Sequence, residues 1–537
     1  MKINDKLEIF FPLKLKPREQ QIQALNFVKD SINNGKKNIC LNLSTGIGKS
    51  YLTQMIYTWY RNYINPNIKM DIITNSKTLQ DQYIKDFPHI KNFKGRNNFY
   101  CDKHDLQCDV AHETYCKTGA KCEDCPYEKA KKEWQVSEIG LTNFHLYNTM
   151  AVYVKTILDG RDSNILIVDE AHDFEQTFCS FLSVDLCSKS LKKYGFDLKE
   201  IEDYERQLVR LKNIGQFIGF IKNQFISDII NKLNWLDAVM QKSTPKLKKT
   251  YGEYKQYCES QKTKFEYIIK EFEKRPDNWI LETSTIKNKI LLEAKPVWGN
   301  DYIKEKIFEK YDHVIFLSST ILNLEYFSFV NGLEKELTTY LELPSTFPLK
   351  NRPIYYIKCG KMSWTEKQET LKTQLKYIDK ILKKYPDVKG ILHCNSYEIS
   401  EYLQNNYINK RLLFHTPENK DLIIEKHINS EEPTIIVSPV LISGHDFKDE
   451  TSRIQIIIKV PFPYLVSNVI KKRMETNKNF YSHKTICDLI QMSGRSIRSH
   501  DDWCNTFLLD SCFSDVLKYN SNYIPRWWSG AIKELKL

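Results

Sequence analysis

The residues with the clearest chemical potential lie in LSTGIGKS, residues 43–50, where an apolar strand pattern gives way to a helical one. A glycine-containing turn can close backbone N–H groups around phosphates, and the helix N-terminus adds positive potential. The predicted phosphate-binding residues are Ser44, Thr45, Gly46, Ile47, Gly48, Lys49 and Ser50. Lys49 would reach the β and γ phosphates, and the Ser50 hydroxyl would bind Mg²⁺. Leu43 replaces the first glycine of the strict pattern, so a plain glycine turn is the alternative.

Two adjacent carboxylates follow a second apolar strand pattern, in ILIVDEAH at residues 165–172. Asp169 is placed to hold Mg²⁺, and Glu170 to orient and deprotonate an attacking water. An acidic pair at a strand end can be only a helix N-cap. The lysine loop upstream favours the catalytic interpretation.

A third group of polar residues comes near the end of the chain, in QMSGRSIR at residues 491–498. It supplies Gln491, Arg495 and Arg498, and the spacing of the arginines places both on one helical face. From a second domain they could neutralise charge developing on the γ-phosphate. Alone, the segment would be a solvated basic helix. Lysine loop, acidic pair and arginine pair, in that order, predict ATP hydrolysis in a cleft between two domains.

Five cysteines crowd into one hydrophilic stretch: Cys101, Cys108, Cys116, Cys122 and Cys125. Disulfides, a metal site and chance are the alternatives. The sequence has no apolar segment typical of a signal peptide and none long enough to span a bilayer. We therefore expect a reducing location, cytoplasmic or nucleoid-associated, or the host cytoplasm for a viral protein. Disulfides are rare in such compartments.

The elements that would position these groups are short apolar runs alternating with helical patterns, in two sets within residues 38–320 and 389–510. Such runs are typical of parallel sheets covered on both faces. We predict two α/β domains that meet near the proline-containing stretch 343–353. The length of 537 residues is too great for one core. The net charge of +12 permits a nucleic-acid partner without requiring one.

One long segment, about residues 173–295, interrupts the alternation. Within residues 217–240 the apolar residues recur at helical spacing. We found no strand pattern in this segment, and it is predicted to be a mostly helical insertion.

Together these motifs resemble superfamily 2 helicases, and more closely the iron–sulfur XPD/DinG-like DNA helicases. The resemblance runs in order over most of the chain. Its motifs are REQQ at residues 18–21, the lysine loop, TNSKTLQDQ at 74–82, KGRNNFYC at 94–101, DEAH at 169–172, LSST at 317–320, KGILHCNSY at 389–397, SPVLISGHDF at 438–447, KVPFP at 459–463 and QMSGRSIR. LSST stands where many relatives have SAT, which exchanges one small residue for another.

The resemblance implies an α/β fold with two RecA-like parallel-sheet motor domains. A small Cys-rich metal-cluster domain and a mostly helical Arch-like domain would be inserted in the first. The implied divisions are residues 1–92, 136–172 and 296–342 for RecA-like domain 1, 93–135 for the iron–sulfur domain, 173–295 for the Arch-like domain and 343–537 for RecA-like domain 2. The resemblance also assigns Arg18 and Gln21 to the adenine side of the nucleotide, and Gly444 and Asp446 to nucleotide binding.

The family pattern contains four cysteine ligands between the strand-binding motif and DEAH. Mapped onto this chain, they are Cys101, Cys116, Cys122 and Cys125, which would hold a [4Fe–4S] cluster. Four thiolates can equally hold Zn²⁺, and His104 or His112 could then substitute for one of them. Cys108 is surplus to the pattern.

Basic and aromatic residues interleave around these cysteines. They are Lys94, Arg96, Lys129, Lys131 and Lys132, with Phe93, Phe99, Tyr100, Tyr127 and Trp134. Basic groups can follow phosphates while aromatic rings stack on bases, which predicts a single-strand contact. A solvated rim is the alternative for the charges.

The resemblance therefore implies a monomeric ATP-dependent helicase that moves 5′→3′ on single-stranded DNA and unwinds forked or tailed duplexes. ATP is the substrate, with Mg²⁺ and a [4Fe–4S] cluster as cofactors, and no membrane is involved. The alternatives are an RNA-directed or zinc-bearing remodelling ATPase, and a nucleic-acid-binding scaffold without ATPase activity.

Overall fold

Two seven-stranded parallel sheets organise the chain, together with a three-stranded antiparallel sheet and a two-stranded ribbon. The computed structural model describes residues 16–535 except 45, 119–121, 287–288, 441–446, 448, 495 and 498–500. The predicted fold class, two parallel-sheet domains with insertions in the first, is confirmed. Among the described residues, no helix is both long enough and apolar enough to cross a bilayer.

The first sheet and its helices form what we call the first lobe. Each strand runs parallel to its neighbours, and the spatial order is Thr338–Leu343, Asn38–Leu43, His313–Ser318, Ile165–Asp169, Met70–Thr74, Ile139–Asn143 and Lys91–Asn92. Most of these strands are buried along their length, which explains the near-continuous apolar runs. Leu41 lies between Leu317 and Leu341, so strand Asn38–Leu43 has both of its neighbours far along the chain.

The second sheet and its helices form the second lobe. Its strands are also parallel, in the order Leu412–Phe414, Ile435–Ser438, Gly390–His393, Ile454–Ile457, Asn505–Leu508, Ile354–Tyr356 and Ile532–Glu534. Because parallel strands end at a common edge, the loops after residues 393, 438 and 457 lie side by side.

Helices cover both faces of the two sheets. In the first lobe they are Glu19–Asn33, Lys49–Tyr63, Lys77–Asp86, Phe144–Val152, Thr156–Asp159, Asn300–Lys306 and Leu324–Asn331. In the second lobe they are Lys367–Lys384, Tyr397–Asn406, Lys420–Asn429, Asn468–Thr476, Phe480–Ser493, Phe513–Tyr519 and Arg526–Ser529. Several begin directly after a strand at a capping side chain: Ser76, Asn143 and Ser396 each accept a hydrogen bond from the backbone three residues on.

Residues 93–136 form a small unit on the first lobe, which we call the cysteine module. Its strands Tyr100–Cys101 and Leu106–Gln107 pair antiparallel, and its α-helices are Cys108–Thr114 and Pro126–Val136. Among the described residues of the module, the buried apolar ones belong to the same cluster as those of the first lobe, so module and lobe share one core.

The helical insertion, residues 174–296, follows the acidic motif. Its helices are Phe174–Leu182, Ser188–Lys193, Leu198–Leu208, Ile214–Phe220, Ile226–Gln241 and Pro245–Lys274, with a π-helical turn at Ile221–Phe225. The segment is mostly helical, as expected, but it also contains three strands that the sequence pattern did not indicate. Strands Val184–Cys187, Lys289–Pro296 and Trp279–Ile286 form an antiparallel sheet in that order. Strand Lys289–Pro296 alternates buried and partly exposed residues. This is the pattern of a strand with one buried face, and it lacks the continuous apolar run of the strands in the parallel sheets.

The two insertions touch each other. Helix Pro245–Lys274 crosses helix Cys108–Thr114 at Gly252, where an added Cβ would lie 3.0 Å from Val110 Cγ1. Lys255 Nζ donates a hydrogen bond of 3.4 Å to the Glu113 carbonyl. The cysteine module and the helical insertion are therefore packed together on the first lobe.

Candidate functional site

The lysine loop is shaped by two glycines in the left-handed region of backbone space. Gly46 has φ 83° and Gly48 has φ 85°, values that other residues adopt only with strain. An added Cβ at Gly48 would lie 2.7 Å from Gln21 Nε2, so the close approach of helix Glu19–Asn33 also demands glycine. Helix Lys49–Tyr63 begins directly afterwards, and its N-terminal N–H groups lie next to the loop.

Arg18 and Gln21 lie against this loop. The Arg18 side chain donates to the Gly46 carbonyl, and Gln21 Nε2 donates to the Gly48 carbonyl at 3.1 Å. Gln21 Oε1 also accepts a hydrogen bond of 2.8 Å from the Arg18 backbone N–H. The N-terminus of helix Glu19–Asn33 is thus held at one side of the predicted phosphate loop.

The acidic pair faces the same loop. Lys49 Nζ lies 2.9 Å from Glu170 Oε1 in a largely buried ion pair. Asp169 ends its strand and accepts a hydrogen bond of 2.9 Å from the Tyr83 hydroxyl. Glu170 has a left-handed φ of 57°, a strained conformation for a non-glycine residue and a common feature of functional sites. Lysine loop and acidic pair are therefore in direct contact.

Electrostatics makes Asp169 unusually easy to protonate. Burial raises the pKa of its carboxyl to about 6, and the charge on Glu170 contributes, although Lys49 and the Tyr83 hydroxyl oppose the shift. Burial and the neighbouring Asp169 charge raise the pKa of Tyr83 well above its usual value, so this phenol stays a donor. A divalent cation at Asp169 would favour the ionised carboxylate.

The remaining predicted loop residues occupy different environments. Ser44 and Ile47 are buried, and Ser50 is half-buried in the first turn of helix Lys49–Tyr63. The side-chain oxygen of Ser44 has no hydrogen-bond partner among the described residues. The predicted residues Thr45, Gly444, Asp446, Arg495 and Arg498 lie outside the described residues.

A chain of polar contacts joins the acidic motif to the second lobe. His172 Nδ1 is hydrogen-bonded to Ser318 Oγ at 2.9 Å, and Ser318 Oγ accepts from the Thr320 N–H at 3.1 Å. Gln491 Nε2 donates to Ser319 Oγ at 3.1 Å and to Thr320 Oγ1 at 3.2 Å. Gln491, predicted from the last motif, thus reaches the first lobe, and its helix leads to Arg495 and Arg498 in sequence.

The cysteines form one cluster. Cys101 Sγ and Cys122 Sγ are 3.3 Å apart, and His104 joins them in a group whose possible ligand atoms lie within 4.8 Å of one another. The Cys116 thiol interacts with Cys122. Cys108, which was surplus to the sequence pattern, is buried and interacts with Cys125.

This donor set fits a soft metal centre. Burial, reinforced by the neighbouring thiols, raises the pKa of Cys108 and of Cys122 to about 12 in each case. Crowded thiols that resist ionisation become thiolates when a bound cation compensates their charge. Cys101, Cys116, Cys122 and Cys125 are therefore suited to hold a metal or a metal–sulfur cluster, and Cys108 and His104 lie within the same group.

Most of the aromatic residues of the module are packed in its interior, whereas the sequence had predicted that they stack on nucleic-acid bases. Phe93, Tyr127 and Trp134 are buried, and the Phe93 and Trp134 rings stack with centroids 5.7 Å apart. Arg96 lies over the Tyr127 ring, 4.3 Å from its centroid. These rings form the packing contact between module and first lobe, so the prediction that they stack on bases was wrong for them. Tyr100 is exposed and remains a candidate.

Two sequence families match the chain. The family described as type III restriction enzyme, res subunit, matches residues 14–211, and the helicase C-terminal domain family matches residues 378–531. A solved XPD helicase structure superposes with a TM-score of 0.63 at 14% identity, over 97% of this chain and 100% of that one. Residues 378–531 thus match a helicase family, and the chain as a whole shares the fold of XPD helicases.

Two further structures support the assignment of the fold. An apo XPD structure gives a TM-score of 0.60 at 14% identity, and an Xpd4 structure from S. tokodaii gives 0.57 at 13% identity. Each match covers 97% of this chain and 100% of the matched chain. No curated protein sequence gives a significant match. The chain thus shares the two-lobed fold of these structures, and the groups described above lie in both of its lobes.

Sequence patterns did not reveal Tyr83 as part of this site. Its hydroxyl reaches Asp169 across 86 residues of sequence, and nothing in the local pattern distinguishes it from a core tyrosine. Cys108 was visible in the sequence as a fifth thiol in the same stretch, and the structure adds that it interacts with Cys125.

The raised pKa of Asp169 predicts that kcat/KM falls at acidic pH. Because this raised pKa leaves the carboxyl neutral below about pH 6, protons should compete with Mg²⁺, and kcat/KM for Mg–ATP should fall about tenfold per pH unit there. Tyr83→Phe removes a hydrogen bond that lowers the pKa of Asp169, so it should move the limb to higher pH. The measurement is kcat/KM from pH 5 to 8, with Tyr60→Phe as a buried-tyrosine control. An unmoved limb in Tyr83→Phe would contradict the assignment.

Proposed function

We propose that this chain is an ATP-dependent DNA helicase that translocates on single-stranded DNA and unwinds duplexes. The observation that carries the proposal is the position of the nucleotide groups. Lys49 and Glu170 lie in the first lobe, in contact with each other, and Gln491 of the second lobe reaches Ser319 and Thr320 beside them. A nucleotide bound there would contact both lobes, so its hydrolysis can change the distance between them.

The ion pair suggests how ATP binding prepares hydrolysis. In the present arrangement Lys49 and Glu170 neutralise each other at 2.9 Å. Phosphates entering the loop would compete for Lys49 and release Glu170 to orient the attacking water. Asp169 and Ser50 would hold Mg²⁺, which supplies charge compensation at the phosphates. By their place in sequence, Arg495 and Arg498 would complete the site from the second lobe.

A groove of about 490 Å³ offers a path for the strand. One wall consists of second-lobe loops that follow parallel strands, including Asn395, Phe462 and Tyr464; the other includes Ser183 and Lys295 of the helical insertion. The Phe462 ring stacks on Tyr481 with centroids 5.7 Å apart, and Tyr464 is 72% exposed. Aromatic rings along a groove provide stacking platforms for bases whatever their sequence.

The contact between the two insertions supports a model in which the cysteine module, the helical insertion and the groove together enclose the DNA strand. Gly252 of the helical insertion packs against Val110 of the cysteine module, and both insertions rise from the first lobe. With the groove beside Tyr464, they would enclose the single-stranded part of forked or tailed DNA. The 5′→3′ direction rests on the family resemblance.

The four thiols Cys101, Cys116, Cys122 and Cys125 are proposed to hold a [4Fe–4S] cluster. When bound, such a cluster cross-links the module, because the module has few apolar residues to hold it alone. The contacts of the module with helix Pro245–Lys274 would hold the cluster in a fixed position on the first lobe. The proximity of His104 to Cys101 and Cys122 keeps a zinc-bearing remodelling ATPase as the second candidate.

Removing the lysine tests the motor mechanism. Lys49→Ala should lower the single-strand-stimulated kcat by at least ~100-fold, because it deletes the charge that meets the transferring phosphate. Binding of single-stranded DNA should be retained, since Lys49 does not line the groove. The measurements are steady-state ATP hydrolysis with DNA or RNA, and unwinding of duplexes with 5′ or 3′ tails. Lys383→Ala, an exposed lysine on the second lobe, is the control.

Three results would count against this proposal. Wild-type hydrolysis that is equal with and without DNA argues against a motor, and stronger stimulation by RNA favours the remodelling alternative. Undiminished turnover in Lys49→Ala would contradict the assigned site.

The groove is tested with one exposed tyrosine. Tyr464→Ala should raise the Kd for a single-stranded oligonucleotide about fivefold or more, because one base–aromatic stack contributes roughly 1–3 kcal/mol. ATP hydrolysis at saturating DNA should be nearly unchanged. Tyr519→Ala is the matched control, since Tyr519 is 70% exposed and lies outside the groove. Equal Kd values for the two variants would exclude this path.

The metal is tested by composition. Protein purified anaerobically should contain about four irons and four acid-labile sulfides per chain, with broad visible absorbance. Cys101→Ala and Cys122→Ala should lose both, whereas Cys108→Ala and the control Cys187→Ala, in the helical insertion, should keep them. About one zinc per chain without sulfide would establish the zinc alternative.

A further inference from the structure

A buried ion pair joins the first helix of the helical insertion, directly after the acidic motif, to the second lobe. Arg473 Nη2 lies 2.8 Å from Glu175 Oε1, and Arg473 Nη1 lies 3.2 Å from Glu175 Oε2. The side chains are only 8% and 7% exposed. Glu175 belongs to helix Phe174–Leu182 and Arg473 to helix Asn468–Thr476, so the pair connects residues 298 positions apart.

Every polar atom of the Arg473 guanidinium is used. Nε donates 2.7 Å to the Val297 carbonyl, and the group lies between the rings of Trp298 and Phe480, 4.6 and 5.5 Å from their centroids. Glu175 Oε1 also accepts a hydrogen bond of 3.0 Å from the Gly299 N–H. Such a bidentate, enclosed geometry fixes the direction of both side chains.

The helix that carries Arg473 is anchored at its other end too. Glu282 Oε1, on the strand Trp279–Ile286, accepts hydrogen bonds from Ser467 Oγ at 2.5 Å and from the Val469 N–H at 2.9 Å. Helix Asn468–Thr476 is thus attached at both ends to elements outside the second sheet. After three intervening residues begins helix Phe480–Ser493, which carries Gln491.

Glu175 is also close in sequence to the acidic motif. Glu175 lies in the first turn of the helix that follows DEAH, three residues after His172 and five after Glu170. A rotation of either helix must move the pair, because both side chains are enclosed. Among the described residues their further hydrogen-bond partners are the Cys179 thiol, the Val297 carbonyl and the Gly299 N–H. Glu175 and Arg473 therefore form a buried side-chain link between the helix that follows the acidic motif and the helix that precedes the Gln491 helix.

We propose that Glu175 and Arg473 are positioning residues that keep the acidic motif in register with the Gln491 helix while ATP is hydrolysed. The inference rests on the proposed ATP-driven motor and adds the element that aligns its two halves. Neither residue touches the nucleotide. Without the pair, the lobes would still bind ATP and DNA, but the groups on the Gln491 helix would reach the nucleotide less often in the geometry that hydrolysis needs.

The test must separate alignment from stability. Single substitutions leave a buried charge without its partner and destabilise any protein, whereas replacing both partners by neutral groups of similar shape is often neutral for stability. The informative variant is therefore Glu175→Gln with Arg473→Met. We expect a melting temperature close to that of the wild type, a KM for ATP within about twofold, and a kcat lowered at least tenfold. Because Arg473 also lines the proposed DNA groove, kcat is measured at saturating single-stranded DNA.

A second variant covers the case in which the double substitution impairs folding. Arg473→Lys keeps the positive charge, but a single ammonium cannot replace the three guanidinium contacts at once. It should lower kcat by a similar factor with little change in KM. Asp71→Asn with Arg161→Met is the matched control, because Asp71 and Arg161 form another buried pair, within the first lobe. That control should leave the kcat of the folded fraction unchanged.

The outcomes are distinct. A folded double variant or Arg473→Lys variant with wild-type kcat overturns the positioning role and leaves the pair as a structural clamp. Equal loss of kcat in the control pair also overturns it, since any buried pair would then have the same effect. Absence of DNA stimulation in the wild type overturns the motor proposal instead, and the positioning role is then read from the unstimulated kcat.

Discussion

The ion pair between Lys49 and Glu170 joins two loops that are 121 residues apart in sequence. The strand order of the first lobe brings these two loops together. Their strands, Asn38–Leu43 and Ile165–Asp169, flank strand His313–Ser318 in a parallel sheet, so all three end at one edge. The same edge presents Ser318 to His172 and Thr320 to Gln491. One sheet edge thus supplies the lysine, the carboxylates and the contact with the second lobe.

The sequence alone was sufficient to predict those site residues that are adjacent in the chain, because their chemistry requires a short, recognisable motif. Gly46, Gly48 and Lys49 had to be close in sequence because one tight turn cradles the phosphates, and Asp169 and Glu170 had to end a buried strand. The two parallel sheets were predictable for the same reason. Strands buried on both faces are continuous apolar runs, and those runs are visible in a single sequence.

Contacts between distant segments were not predictable. Arg473 reads as an ordinary basic residue on a polar helix, and only the fold places it against Glu175. Short or edge strands such as Ile532–Glu534 carry too few apolar residues to stand out, and strand Lys289–Pro296 follows the two-residue period of a half-buried strand. The buried role of Trp134 was hidden because a cluster of charges surrounds it in sequence.

The pairing of strand Asn38–Leu43 has a consequence for how the polypeptide is made. Both of its partners, His313–Ser318 and Thr338–Leu343, emerge from the ribosome some 300 residues later. At about 5–20 residues per second, this apolar segment waits roughly 15–60 s without the strands that cover its edges. Unpaired apolar strands are prone to aggregate, so the nascent chain should depend on chaperones until Leu343 has been synthesised. The centre of the first lobe is translated early but completed late.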